Sequence, residues 1–242
     1  VHSQCEFCTF SYGKRIAEDT GAVLIHTCHT LYEQYTKYIP MGKYLGTAAV
    51  AACMRMRLWP VDLIITPTKK VERTFLSYGV EKKTAIIPTG IRLEKFSSPV
   101  PSEVLLRLRK ECGIRPGVRV VLSLGRLGFE KQVDELLRGW KEAGISGEEA
   151  MLLIVGGGPA EGSLRRLSEE LGLSDQVCFY GMADPKMVPA FYQLADLFIC
   201  ASTSETQGLT YVEALASGLP LVCRRDPCLG GGLEHGRNGY SY

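Results

Sequence analysis

Along most of the chain, short apolar, β-branched runs alternate with longer segments whose apolar positions recur every three or four residues. Residues 22–25, 63–65 and 85–87 read as buried parallel strands, and 118–124, 151–155, 177–180, 197–200 and 220–223 continue the series. Between them lie segments with helix signals. One helix is predicted to open at Pro67-Thr68 and stop near Gly79, and another to open at Pro101-Ser102 and stop near Gly113. This alternation predicts an α/β fold in two lobes, each built on a parallel sheet covered on both faces. The alternation pauses once, between Pro88 and Pro101, where three prolines and two serines make a linker. The expected division is therefore residues 1–92 and 93–242. The first part supplies about three strands and the second about five, so the first lobe is expected to be incomplete.

Composition narrows the class. The 242 residues are 45% hydrophobic and 22% charged, as in a globular α/β protein rather than a disordered chain. A formal net charge of +2 argues against nucleic acid as a partner. No apolar run approaches the roughly 20 residues a membrane-spanning helix requires. The first residues carry no signal-peptide pattern and no initiator Met, which reads as a fragment with both ends incomplete. Nine cysteines, an odd and scattered set, read as reduced thiols of a cytoplasmic protein. Cys5 and Cys8 make one Cys-x-x-Cys. Without a second pair or a His pair nearby, they are expected to be small buried hydrophobes, and no metal site is expected.

Ligands of open parallel sheets bind at the carboxyl ends of strands, so each strand exit was read in turn. After residue 124 come Gly125, Arg126 and Lys131, the last placed in the first turn of a helix running from Gln132. There a cation opposes the helix dipole. The two cations form either a diphosphate clamp or a solvated surface pair. The glycines at 156–158 suggest a dinucleotide fingerprint, but its third glycine position is Glu161 and the next strand ends at Tyr180-Gly181 without the ribose-binding acid. A close turn is the better reading. A polar loop with Glu205 then precedes a helix from Gly208 to Gly218 that carries Glu213. N–H groups of Gln207, Gly208 and Leu209 would point out of its start toward phosphate or sugar hydroxyls. In the first part, His26 and His29 leave the strand at 22–25; His29 is the site candidate and His26 the structural one. Residues 44–59 read as a helix packed on the sheet with Arg55 and Arg57 solvated, or as a basic helix with Trp59 at a membrane surface.

These residues resemble glycosyltransferase family 4, retaining enzymes of the GT-B type with two Rossmann-like lobes. Glu205 and Glu213 match that family's glutamates separated by seven residues, within a nearly continuous match from Glu205 to Pro220. Gly125-Arg126-Leu127 with Glu130-Lys131 resembles its diphosphate-binding segment, and Pro88-Thr89-Gly90-Ile91 its interlobe Pro-Asn-Gly-Ile with Thr for Asn. Residues 29–35 are similar to members that glucosylate diacylglycerol. The family's first glycine-rich loop and its C-terminal return helices are missing here.

The resemblance implies an acceptor-binding N-terminal lobe and a nucleotide-sugar-binding C-terminal lobe. It implies a UDP-glucose donor, no further cofactor, no metal, and a lipid or sugar acceptor reached by peripheral contact with the inner membrane face. Arg126, Lys131 and the amides near Gly208 would stabilise the departing diphosphate. Glu205 would hold the sugar, Glu213 the ribose, and His29 would reach the sugar from the first lobe. The alternatives are a nucleotide-sugar epimerase and a non-catalytic fragment that binds nucleotide or membrane.

Overall fold

The structure, a computed structural model, describes residues 1–38 and 46–242. The chain divides into two compact units, Val1–Gly90 with Ser204–Gln207, and Ile91–Thr203 with Gly208–Tyr242.

The first unit holds a four-stranded parallel sheet, β1 (His2–Ser3), β2 (Ile25–Thr27), β3 (Leu63–Thr66) and β4 (Lys83–Ile86), in sequence order. Helices α1 (Cys8–Thr20), α2 (Thr47–Leu58) and α3 (Lys69–Ser77) cover it, with a 3-10 segment at Tyr32–Tyr38. Thr68 caps α3 by accepting from the Val71 amide at 3.4 Å, and Val71 and Phe75, one turn apart, face the core with Phe10, Leu58 and Ile64.

Two strand expectations are corrected here. Of residues 22–25 only Ile25 is strand. The Ala22 amide closes the end of α1 on the Ala17 carbonyl, and the Leu24 amide is taken by the Asp62 carboxylate at 2.8 Å. Strand pairing therefore starts later. The sheet also has four strands rather than three, because β1 is only two residues long, has one polar residue buried, and lies at an edge with no apolar run to mark it.

The second unit holds six parallel strands: β5 (Arg119–Leu124), β6 (Ala150–Val155), β7 (Val177–Gly181), β8 (Leu197–Cys200), β9 (Leu221–Cys223) and β10 (Gly239–Ser241). The expected count was five. The edge strand β10 was missed for the same reason as β1. Their order is β7-β6-β5-β8-β9-β10, a doubly wound sheet whose direction of growth reverses between β5 and β8.

Alternation along the strands feeds two cores. Val120, Leu122, Leu153 and Val155 join Leu108, Phe191, Tyr192 and Phe198 on one face, and Val121, Leu152 and Ile154 join Val133, Leu137 and Trp140 on the other. The covering helices are α4 (Glu94–Ser97), α5 (Ser102–Glu111), α6 (Val133–Ala143), α7 (Glu161–Glu170), α8 (Val188–Leu194) and α9 (Leu209–Ala216).

Candidate functional site

The reversal between β5 and β8 opens a crevice beyond their carboxyl ends, the usual ligand position in such a sheet. A cavity of about 650 Å³ lies beside it, lined by Gly125 and Arg126 after β5, Val155 at the end of β6 with residues 156–158 after it, and Met182 and Ala183 after β7. The glycines after β6 exist for backbone contact. A Cβ at Gly156 would overlap the Gly125 carbonyl, and one at Gly158 would lie 2.5 Å from the Leu127 carbonyl oxygen. Their loop is tied to the β5 exit by Gly125 N–H to Val155 O at 3.0 Å and Leu127 N–H to Gly157 O at 3.0 Å. The close-turn reading thus has its cause in these two exits.

Arg126 is exposed at the cavity wall, and its guanidinium donates to the carboxylate of Glu130, which is fully buried. Glu130 belongs to the motif noted in the sequence, yet its part as a carboxylate that orients Arg126 was not foreseen. Lys131 is half-buried, but it is not in a helical first turn as expected. Phe129–Lys131 form a 3-10 turn, Gln132 follows with φ +49°, and α6 begins only at Val133. Gln132 is the one non-glycine residue with positive φ among the described residues, a conformation that costs about 1–2 kcal/mol. The strained turn lifts Lys131 off the helix, so its charge no longer opposes the dipole of α6.

At the β8 exit, a polar loop leads to α9, which is headed by Gly208 at φ +69°. A Cβ there would run into the ring of Tyr211, so both the left-handed turn and the space demand glycine. The first amides of α9 have no intrahelical acceptor, which makes its start an anion-accepting end. Leu209 is the first residue of α9 and Gly208 its cap.

Glu213 lies one turn further on and is half-buried rather than a solvated surface carboxylate. The buried Tyr192 of α8 donates its hydroxyl to Glu213 Oε2 at 2.8 Å. Burial pushes the Glu213 carboxyl above its ordinary value, against the lowering effects of the Tyr192 hydrogen bond and the Lys95 charge. Tyr192 was missed in the sequence, where it reads as one more apolar residue in a helix.

Glu205 and Gln207 belong to the four-residue segment that groups with the first unit. Lys70 Nζ donates to the Glu205 carbonyl at 2.8 Å, and Thr68 Oγ1 to the Thr206 carbonyl at 2.7 Å. The Gln207 amide pairs with both the N–H and the C=O of Thr89, each at 2.8 Å. The Gln207 side chain is therefore spent on the backbone of the Pro88–Gly90 segment. Glu205 is half-buried in a loop whose backbone is held at these three points.

Also in the first unit, His29 is exposed, with Nε2 3.2 Å from Gln4 Oε1, whereas His26 is fully buried. Helix α2 starts at Thr47, and Tyr44 lies outside the described residues. Arg57 is not the solvated arginine anticipated. It donates to the Glu6 and Phe7 carbonyls, each at 2.7 Å, and packs over the Phe10 ring. Met56 and Trp59 of this stretch are 76% exposed, and Tyr12 of α1 is 70% exposed. Cys5 and Cys8 are exposed, not the buried hydrophobes expected, because the turn into α1 carries them outward around the buried Glu6. Among the described residues no helix is long and apolar enough to cross a membrane.

The family described as Glycosyl transferases group 1 matches residues 106–242, and Glycosyltransferase Family 4 matches residues 1–95. The chain is 38% identical over 230 residues to the alpha-monoglucosyldiacylglycerol synthase of Streptococcus pneumoniae, a match covering 95% of this chain and 52% of that protein. It is 32% identical over 245 residues to the protein of the same name from Acholeplasma laidlawii, covering 99% of this chain and 62% of the relative. The chain thus spans little more than half the length of the curated relatives it matches. Among solved structures, Anabaena HepE in complex with UDP and glucose superimposes with a TM-score of 0.78 at 20% identity, over 96% of this chain and 61% of that one. At that identity the likeness concerns the fold, which is the two-lobed GT-B arrangement of parallel sheets.

Proposed function

The chain belongs to the group 1 glycosyl transferases, and from that premise we propose that it transfers glucose from UDP-glucose to a hydroxyl of diacylglycerol with retention at the anomeric carbon. The observation that carries the donor half of this reading is the β5/β8 reversal, with Arg126 at one strand exit and the α9 amides after the other. Charge builds on the UDP leaving group as the glycosidic bond breaks. Arg126, Lys131 and the amides of Gly208 and Leu209 stabilise that charge, so no metal is required for this step. The uridine occupies the cavity past Arg126, and Glu213, held by Tyr192, accepts hydrogen bonds from ribose hydroxyls.

Glu205 holds the hexose hydroxyls, and His29 contacts the sugar. The departing phosphate takes the acceptor proton, a front-face attack without an enzymic carboxylate nucleophile. The relatives' names support the acceptor. Exposed Tyr12, Met56 and Trp59 beside Arg15 and Arg55 support peripheral contact with the cytoplasmic membrane face, where such a lipid is met.

Glu205→Gln tests the reading of the sugar site. It should lower kcat at least 100-fold while leaving UDP affinity within about twofold, since UDP lacks the hexose. Near-normal turnover would remove Glu205 from the mechanism.

A further inference from the structure

In the first unit, Glu6, His26 and Cys28 are all buried, and their donor atoms lie within 4.8 Å of one another. His26 is tethered through Nδ1, 2.7 Å from Ser3 Oγ, and its ring is packed edge-on against Phe10. Glu6 Oε2 is occupied by the Tyr32 hydroxyl at 2.5 Å. These contacts leave Nε2 and Oε1 facing each other 3.4 Å apart, and neither makes a hydrogen bond although both are shut off from water. The two atoms meet only at ion-pair distance, without an aligned hydrogen bond, which leaves a buried carboxylate and imidazole under-satisfied, and a cation held by both would satisfy them.

We propose that Glu6, His26 and Cys28 form a binding site for a zinc-class divalent cation in the first unit, with a water as fourth ligand. Carboxylate, imidazole and thiolate are a donor set suited to zinc, and three protein ligands plus one open position are a regular zinc arrangement. Legs of about 2.0–2.3 Å in a tetrahedron put donors roughly 3.3–3.7 Å apart, so the set, whose donor atoms lie within 4.8 Å of one another, closes by about 1.5 Å at most. Charge balances as well: one carboxylate, one thiolate and a neutral imidazole cancel a dication, which makes the site compatible with its burial. On binding, the Cys28 S–H bond breaks, its proton leaves to solvent and the sulfur ligates the metal.

The outer contacts also fit. Ser3 and Tyr32 orient the imidazole and the carboxylate, as the hydrogen-bond partners of metal ligands do. The metal would pin β1, the turn into α1 and the end of β2 together, just before His29. Arg126, Lys131, Glu205 and Glu213 supply none of its ligands, and exposed Cys5 and Cys8 take no part in it.

The test is cobalt substitution of the chelator-stripped protein. One equivalent of Co²⁺ per chain should produce a thiolate-to-cobalt charge-transfer band and tetrahedral visible bands, and Zn²⁺ should displace it and raise Tm. Cys28→Ser should abolish the thiolate band and weaken binding at least about tenfold, and His26→Gln should weaken it likewise, while Cys5→Ser/Cys8→Ser keeps both band and stoichiometry. The proposal is overturned if the wild type shows no thiolate band, or if the band survives Cys28→Ser and is lost with Cys5 and Cys8.

Discussion

The Tyr192–Glu213 contact makes the sharpest quantitative prediction. Tyr192→Phe removes one oxygen and keeps the ring, which packs against Phe96 and Phe198 at centroid distances of 5.8 Å. What is lost is a 2.8 Å hydrogen bond to a carboxylate, with a longer 3.3 Å contact to the Thr210 carbonyl. Such bonds are worth about 1.5–3 kcal/mol when buried, and because water can reach half-buried Glu213 the loss should fall just below that range, at about 1–1.4 kcal/mol. If Glu213 binds ribose, Kd for UDP should rise roughly five- to tenfold.

Calorimetric titration with UDP and with 2′,3′-dideoxy-UDP separates orientation from damage. The dideoxy ligand should bind wild type and Tyr192→Phe alike. In a double-mutant cycle with Glu213→Ala, the two losses should be strongly non-additive. The variant should also move the pH below which UDP affinity falls to a higher value, since the Tyr192 hydrogen bond is one of the forces lowering the Glu213 carboxyl. Additive losses, or equal losses for both ligands, would refute the ribose role.

Three further outcomes follow from the same geometry. Glu213 has its carboxyl raised by burial, so the stability it contributes is complete below about pH 4.5, its unfolded range, and is lost as pH rises through its higher folded value. Glu213→Gln should therefore flatten that part of the Tm–pH curve, and an unchanged curve would contradict the assigned burial cost. Arg126→Ala should weaken UDP at least tenfold and Arg126→Lys should restore only part of it, because a point charge cannot keep both the Glu130 contact and a bidentate phosphate grip; equal affinities by calorimetry would count against the clamp. Tyr12→Glu/Trp59→Glu should reduce co-sedimentation with anionic vesicles severalfold without changing UDP affinity, and unchanged sedimentation would remove these side chains from the membrane contact.

Much of this was legible from pattern alone. Strands β5–β9 are short, mostly apolar runs, and α9 is bracketed by Gly208 and Gly218, so their positions follow from periodicity and punctuation. What escaped depended on pairing between distant residues. Strands β1 and β10 exist because each adds to an edge, with His2 opposite Ile25 and Tyr240 opposite Val222, and neither has a hydrophobic signature. Lys131 was misplaced because Gln132 adopts a left-handed conformation that nothing in its residue type announces. The parts of Tyr192 and Glu130 depend on which helix or loop each meets. The Glu6–His26–Cys28 cluster was invisible for the same reason: it forms only when β1 pairs beside β2, bringing Ser3 opposite His26.

The central claim is glucosyl transfer, and it is tested most directly by incubating the protein with UDP-glucose and anionic vesicles with or without diacylglycerol, following UDP release and lipid product together. UDP release should depend on diacylglycerol and be matched by an α-linked glucolipid in equal amount. UDP release without glycolipid, or none with any acceptor, would contradict it.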